Sequence, residues 1–111
     1  MGKKINWGYF RNGWTSCKRA QEFLDARNIS VEYGPRGIRA NCISPGLIKT
    51  DFARALWENE AILKTQTNKS ALKRIGMPDE IAGAAVFLAS EAGSFTTGQN
   101  IVIDGGEGET A

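Results

Sequence analysis

The stretch from Met77 to Gly106 constrains the fold more than any other part of the chain. Met77-Pro78-Asp79-Glu80 is a helix start: proline suits the first helical position, where its missing N–H is no loss, and the two acids favour the positive end of the helix dipole. Ile81–Ser90 is then apolar on most faces, through Ala82, Ala84, Ala85, Val86, Phe87, Leu88 and Ala89, which predicts a helix central to the core. Gly93 and Thr96-Thr97-Gly98 end that segment. Asn100–Asp104 reads as a closing strand carrying Ile101, Val102 and Ile103 ahead of the Gly105-Gly106 turn.

The rest of the chain supplies the same two kinds of element. Lys4–Phe10 alternates as a strand with Ile5, Trp7 and Tyr9 on one face, and Arg11-Asn12-Gly13 breaks it. Ala20, Phe23, Leu24 and Arg27 fall at helical spacing, which predicts a helix over Thr15–Arg27 capped by Thr15 or Ser16 and stopped at Asn28. Ile29–Tyr33 alternates again and is rich in β-formers, and Ile38–Ser44 is a second β-like run beyond Gly34-Pro35-Arg36-Gly37. Two arrangements fit: a hairpin, or a helix end followed by one strand. Local preference at Ile29–Tyr33 favours the strand. After Pro45-Gly46, Asp51–Trp57 and Asn59–Thr67 form two short amphipathic helices with Phe52, Leu56, Trp57, Ile62 and Leu63 as candidates for burial. The whole predicts an α/β fold: a small layered domain of about four strands with helices.

At 111 residues the chain is bounded to one compact domain, residues 1–111, with a modest core. A formal charge of +2, with basic residues scattered rather than gathered between aromatics, argues against a nucleic-acid partner. Two cysteines, Cys17 and Cys42, with no histidine remove most zinc arrangements and any Ser-His or Cys-His catalytic pair, so no metal site is expected. The opening residues hold Lys3 and Lys4 but no signal-like apolar run, and no segment reaches membrane-spanning length. The expectation is no membrane and a reducing, cytoplasmic setting.

The runs GPRGIRANCISPGLIKTDF and RIGMPDEIAGAAVFLASEAGSFTTGQNIVIDGG make residues 34–106 resemble the C-terminal part of the short-chain dehydrogenase/reductase family. The resemblance implies a Rossmann-like C-terminal part and an oxidoreductase using NADP or NAD on a carbonyl or alcohol. It matches Ile29–Tyr33 to the end of a long helix. It also places the family's Tyr-x-x-x-Lys upstream, where the nearest match is Trp14 to Lys18, with tryptophan at the tyrosine position. The interval from Lys18 to Glu32 is one residue longer than the family's, which turns a continuous helix by about 100°. In the loop Pro45-Gly46-Leu47-Ile48-Lys49-Thr50, the resemblance gives Ile48 a backbone contact with the nicotinamide amide and Thr50 a contact with the cofactor phosphates. Residues 51–67 correspond to a mobile substrate lobe. Asn41 and Asp104-Gly105-Gly106 are architectural, and the helix from Pro78 with the strand Asn100–Asp104 builds the subunit interface, which implies self-association as a homodimer.

Chemistry argues against turnover by this chain alone. No Gly-x-x-x-Gly-x-Gly or Gly-x-Gly-x-x-Gly follows the first strand, so the phosphate cradle is missing, and Trp14 is no general acid. No bound cofactor is therefore expected unless the oxidoreductase reading holds. Thr50 has a second role open to it, as helix N-cap before Asp51.

Residues 1–33 carry a resemblance of their own. Trp14-Thr15-Ser16-Cys17-Lys18-Arg19-Ala20, then Phe23-Leu24 and Asn28-Ile29-Ser30-Val31, is similar to the strand-loop-cysteine-helix-strand opening of thioredoxin-like proteins of the arsenate reductase and glutaredoxin kind. It implies a Cys17 thiolate in the first turn of a helix beside Lys18 and Arg19. Three functions follow, in order: a recombined or truncated α/β domain, joined near Val31–Gly34, with no catalysis of its own; an NAD(P)-dependent short-chain oxidoreductase; and a thiol-redox protein using Cys17.

Overall fold

The computed structural model describes residues 6–10 and 16–107, and side chains from residue 23 to 107. Its three described strands, β1 (Asn6–Phe10), β2 (Arg39–Pro45) and β3 (Asn100–Ile103), form one parallel sheet in the order β1-β2-β3. The helix α1 (Ser16–Tyr33) connects β1 to β2. Between β2 and β3 run α2 (Arg54–Trp57), α3 (Glu60–Thr67) and α4 (Pro78–Ala89). α1 packs against β2, and α4 touches all three strands. The α/β class expected from the sequence is the class observed.

The described strands are three rather than about four, because Ile29–Tyr33 is the end of α1. The helix does not stop at Asn28 but continues to Tyr33 and passes into a 3-10 turn at Gly34–Arg36. The β-forming residues there are overruled by a contact far away in sequence: Ser30 Oγ lies 2.8 Å from Thr97 Oγ1. Gly98 closes on the same serine with φ +70°, and a Cβ there would stand 3.1 Å from Ser30 Oγ. The alternation of Ile29, Val31 and Tyr33 marks no buried strand face, since Val31 is 75% exposed. The second strand that a thioredoxin-like opening requires at Ile29–Val31 is likewise helix.

β2 is buried at all seven positions. Arg39, Asn41 and Ile43 share one face, Ala40, Cys42 and Ser44 the other. A central strand can bury polar side chains only if each finds partners. Arg39 donates to the carbonyls of Leu88 (2.7 Å) and Thr96 (3.1 Å), at the C-terminal end of α4 and just beyond it. Asn41 donates to Thr96 O (3.0 Å) and accepts from the Gln99 N–H (3.1 Å), while Ser44 donates to Asn100 Oδ1 (2.8 Å). Pro45 ends the strand without loss: the Cys42 and Gly46 N–H groups point to β3, so position 45 faces the β1 side, past Phe10, the last residue of that strand.

α4 begins where the sequence places it. Glu80 accepts from the Met77 N–H at 2.7 Å and pairs bidentately with Arg74 (2.7 and 3.0 Å). Its expected place at the centre of the core is not observed: Leu88 is its buried residue, while Val86 (66%) and Phe87 (42%) are exposed. Of the two short helices, α3 forms as expected while α2 is confined to Arg54–Trp57 with residues 51–53 in a turn; Phe52, expected inside, is 90% exposed, and Ile62 is exposed too. Each faces solvent because residues 51–67 lie beyond the sheet and have little to pack against. The segment after α3 is tied to the end of the chain by bonds from the Ala71 and Leu72 N–H groups to Gly106 O and Gly105 O, both 3.0 Å.

Candidate functional site

The strongest site candidate is the loop that leaves the carboxyl end of β2, since ligands of open parallel sheets bind outside the carboxyl ends of the strands. Pro45 is buried there, and Gly46 donates to Ile103 O at 2.9 Å. A side chain at position 46 is excluded by close backbone approach, because a Cβ would stand 2.7 Å from Asp104 Cα. The loop then meets the segment before α4. Ile48 bridges Gly76 in parallel, with Gly76 N–H to Leu47 O at 3.0 Å and Lys49 N–H to Gly76 O at 2.9 Å. A Cβ on Gly76 would lie 2.6 Å from Ile48 Cδ1, so a side chain there would push the tip of Ile48 aside. Behind this bridge the Arg74 guanidinium, followed by the Met77 N–H, holds the Glu80 carboxyl down to about 2, and Glu80 in turn raises Arg74 above its ordinary value.

Thr50 closes the loop. Its N–H donates to Ile48 O at 2.8 Å, and its hydroxyl oxygen accepts from the Ala53 N–H at 3.2 Å. The N-cap of α2 is Ala53, so Thr50 heads the turn before the helix instead of capping it as expected, and its hydroxyl keeps one proton to donate. The Trp57 indole N–H donates to Thr50 O at 2.8 Å and fastens α2 onto the loop. The Trp57 ring is flanked by two cations, Lys49 Nζ at 5.0 Å and the Arg54 guanidinium at 5.8 Å from its centroid.

The other candidate residues stand apart from this loop. Cys17 and Lys18 are the second and third residues of α1, and their side chains lie outside the described residues, as does Trp14 altogether. α1 is continuous to Tyr33, so it contains no break to absorb the extra residue between Lys18 and Glu32. Pro45, Gly46, Ile48 and Thr50 lie in the one loop that leaves β2. Gly76 and the Trp57–Thr50 bond were not anticipated. The available signals were a glycine set just ahead of a helix start, and an indole N–H that must find an acceptor when partly buried. Among the described residues no cluster of His, Cys, Asp and Glu could hold a metal ion, and no helix is long and apolar enough to cross a membrane.

A family model described as enoyl-(acyl carrier protein) reductase matches residues 10–107, which includes the whole of α1 and the whole loop. The chain belongs to the short-chain dehydrogenase/reductase family. It is 44% identical over 80 residues to dehydrogenase/reductase SDR family member 4 of Oryctolagus cuniculus, covering 72% of this chain and 31% of that protein. With the 3-oxoacyl-(acyl-carrier-protein) reductase of Chlamydia trachomatis it shares 48% identity over 82 residues, 73% of this chain and 32% of the relative. The chain thus spans about a third of the length of these curated relatives. Among solved structures, 4-hydroxyisoleucine dehydrogenase complexed with NADH superposes with a TM-score of 0.85 at 25% identity, covering 94% of this chain and 47% of that one. The family match begins at residue 10, and so runs through the stretch that resembles a thioredoxin-like opening.

The loop fits a dinucleotide. Ile48 is held in place by its bridge to Gly76, and Thr50 keeps a hydroxyl proton to donate.

Proposed function

We propose that this chain is the nicotinamide-side and substrate-side portion of an NAD(P)-dependent oxidoreductase, without turnover of its own. The observation that carries the reading is the loop Pro45–Thr50, fixed at the carboxyl end of the central strand with the Thr50 hydroxyl proton left to donate. In this reading the Ile48 backbone holds the nicotinamide amide and the Thr50 hydroxyl holds a phosphate oxygen. When bound, the nicotinamide gives or takes a hydride at a carbonyl or alcohol carbon. The matching proton needs an acid, and the residue at the family's tyrosine position is Trp14, whose indole does not titrate. The sequence has no glycine-rich turn after its first strand to hold the pyrophosphate. Loop and lobe are thus supplied, while proton transfer and the phosphate cradle are not. A reducing, cytoplasmic setting goes with this reading.

NMR titration with NADH, and separately NADPH, tests it. The amides of Ile48 and Thr50 should move first, with a dissociation constant in the millimolar range and no carbonyl reduction. Shifts confined to other residues would overturn the assignment of the loop, and micromolar saturation with turnover would show an independent enzyme instead.

Self-association belongs to the same proposal. The exposed Val86 and Phe87 on α4 and Val102 on β3 form the face that a second copy covers, and light scattering across a concentration series would read the dimer. A second reading, thiol-redox chemistry at Cys17, is favoured by the position of that residue in the first turn of α1. Iodoacetamide reactivity against pH decides it, since a thiol with ordinary reactivity removes that reading.

A further inference from the structure

The two cations on the Trp57 ring are not equivalent. Arg54 is neutralised by Asp51 at 2.8 Å and Glu58 at 3.6 Å. Lys49 makes no ion pair with any described carboxylate, and its ammonium rests on the indole face at 5.0 Å. An aromatic face orients a cation without neutralising it, and an ammonium leaning on a ring on one side keeps N–H donors for the other. The lysine backbone is already fixed by its bond to Gly76 O, and the ring by its bond to Thr50 O, so only the side chain of Lys49 remains to be ordered by a ligand. In the chain, Lys49 lies between the residue matched to the nicotinamide amide and the residue matched to the phosphates.

We propose that Lys49, propped on Trp57, is an anion receptor at the entrance to the site, taking an oxyanion that is either a substrate carboxylate or a phosphate of the dinucleotide. This rests on the reading of Pro45–Thr50 as the cofactor loop. The contact is exposed, so its removal weakens anion binding by no more than about fivefold, which is enough to read by titration and too little to disturb the fold.

The Trp57 indole N–H resonance is followed by NMR at constant ionic strength during titration with succinate, with inorganic pyrophosphate, and with neutral succinamide. Saturable shifts with an oxyanion and none with succinamide are expected. Lys49→Met should weaken binding about fivefold, Lys49→Arg should restore it, and Lys64→Met, which removes a charge of the same lobe from α3, should leave it unchanged. Preference for succinate assigns the receptor to substrate, and preference for pyrophosphate assigns it to the cofactor. Equal response to succinamide, no effect of Lys49→Met, or an equal effect of Lys64→Met overturns the proposal. A parallel NADH titration separates the two levels. If Ile48 and Thr50 respond to NADH while Lys49→Met changes nothing, the receptor fails and the cofactor loop stands; if neither amide responds to NADH, the cofactor loop itself fails.

Discussion

β2 and α4 invert what hydropathy alone would suggest. β2 contains Arg39, Asn41 and Ser44 and is buried throughout, whereas α4, built almost wholly of apolar residues, keeps only Leu88 buried. Place in the sheet decides this. A strand with neighbours on both edges and helices against it loses solvent whatever its side chains are, and polar residues survive there by having a partner for nearly every polar atom. A helix on an outer layer buries one stripe, and its other apolar faces wait for something else to cover them. Burial follows topology, and composition then decides what must be satisfied or shielded.

The largest expected effect breaks the satisfied side of the comparison. Asn41→Leu removes the acceptor of the Gln99 N–H and one of the two donors to Thr96 O, which keeps Arg39, and should cost about 1–3 kcal/mol in urea unfolding. A loss below the error of the measurement would mean that the strand is held by its apolar neighbours and that its polar bonds are incidental. Next comes Gly46→Ala, which drives a methyl against the Asp104 backbone and should cost about 1–3 kcal/mol while moving the Ile48 and Thr50 amide signals. On the uncovered side, Val86→Lys should change the stability of the monomer by no more than about 0.5 kcal/mol. It should also remove any dependence of the melting temperature on protein concentration, because the covering copy is lost.

The smallest effect concerns the start of α4. Glu80 titrates at about 2, against an ordinary value of 4.5, because Arg74 and then the Met77 N–H stabilise its charged form. A carboxyl depressed in the folded state contributes stability that is complete above pH 4.5 and is lost as pH falls toward about 2. Carbon-detected titration of the Glu80 carboxyl should show the low value, and Glu80→Gln should flatten only that acidic limb.

How far the sequence could be read follows the range of the deciding contact. The start of α4 was legible because Pro78 and Glu80 act within one turn. β2 was found to within a residue at each end, since a short β-like run between two glycine-bearing turns has few other conformations open to it. The end of α1 was not legible, because its β-forming residues are held helical by Thr97 and Gly98, 67 and 68 residues from Ser30. The exposure of Phe52 was hidden for a related reason: amphipathic spacing identifies an apolar face without saying whether anything lies opposite it. In the loop, Pro45, Gly46, Ile48 and Thr50 could be named from the chain, but their fastening by Gly76 and Trp57 could not, because it depends on which segments meet.

Residues 51–69 are clamped at both ends, by the Ile48–Gly76 bridge where they begin and by the Ala71 and Leu72 bonds to Gly106 and Gly105 where they finish. Neither clamp is a rung of the β1-β2-β3 ladder. If this stretch melts, its ends stay where they were, so it gains only the entropy of a tethered loop and the ladder keeps every hydrogen bond. The consequence is one of independence: opening of this hoop would break no rung of the sheet.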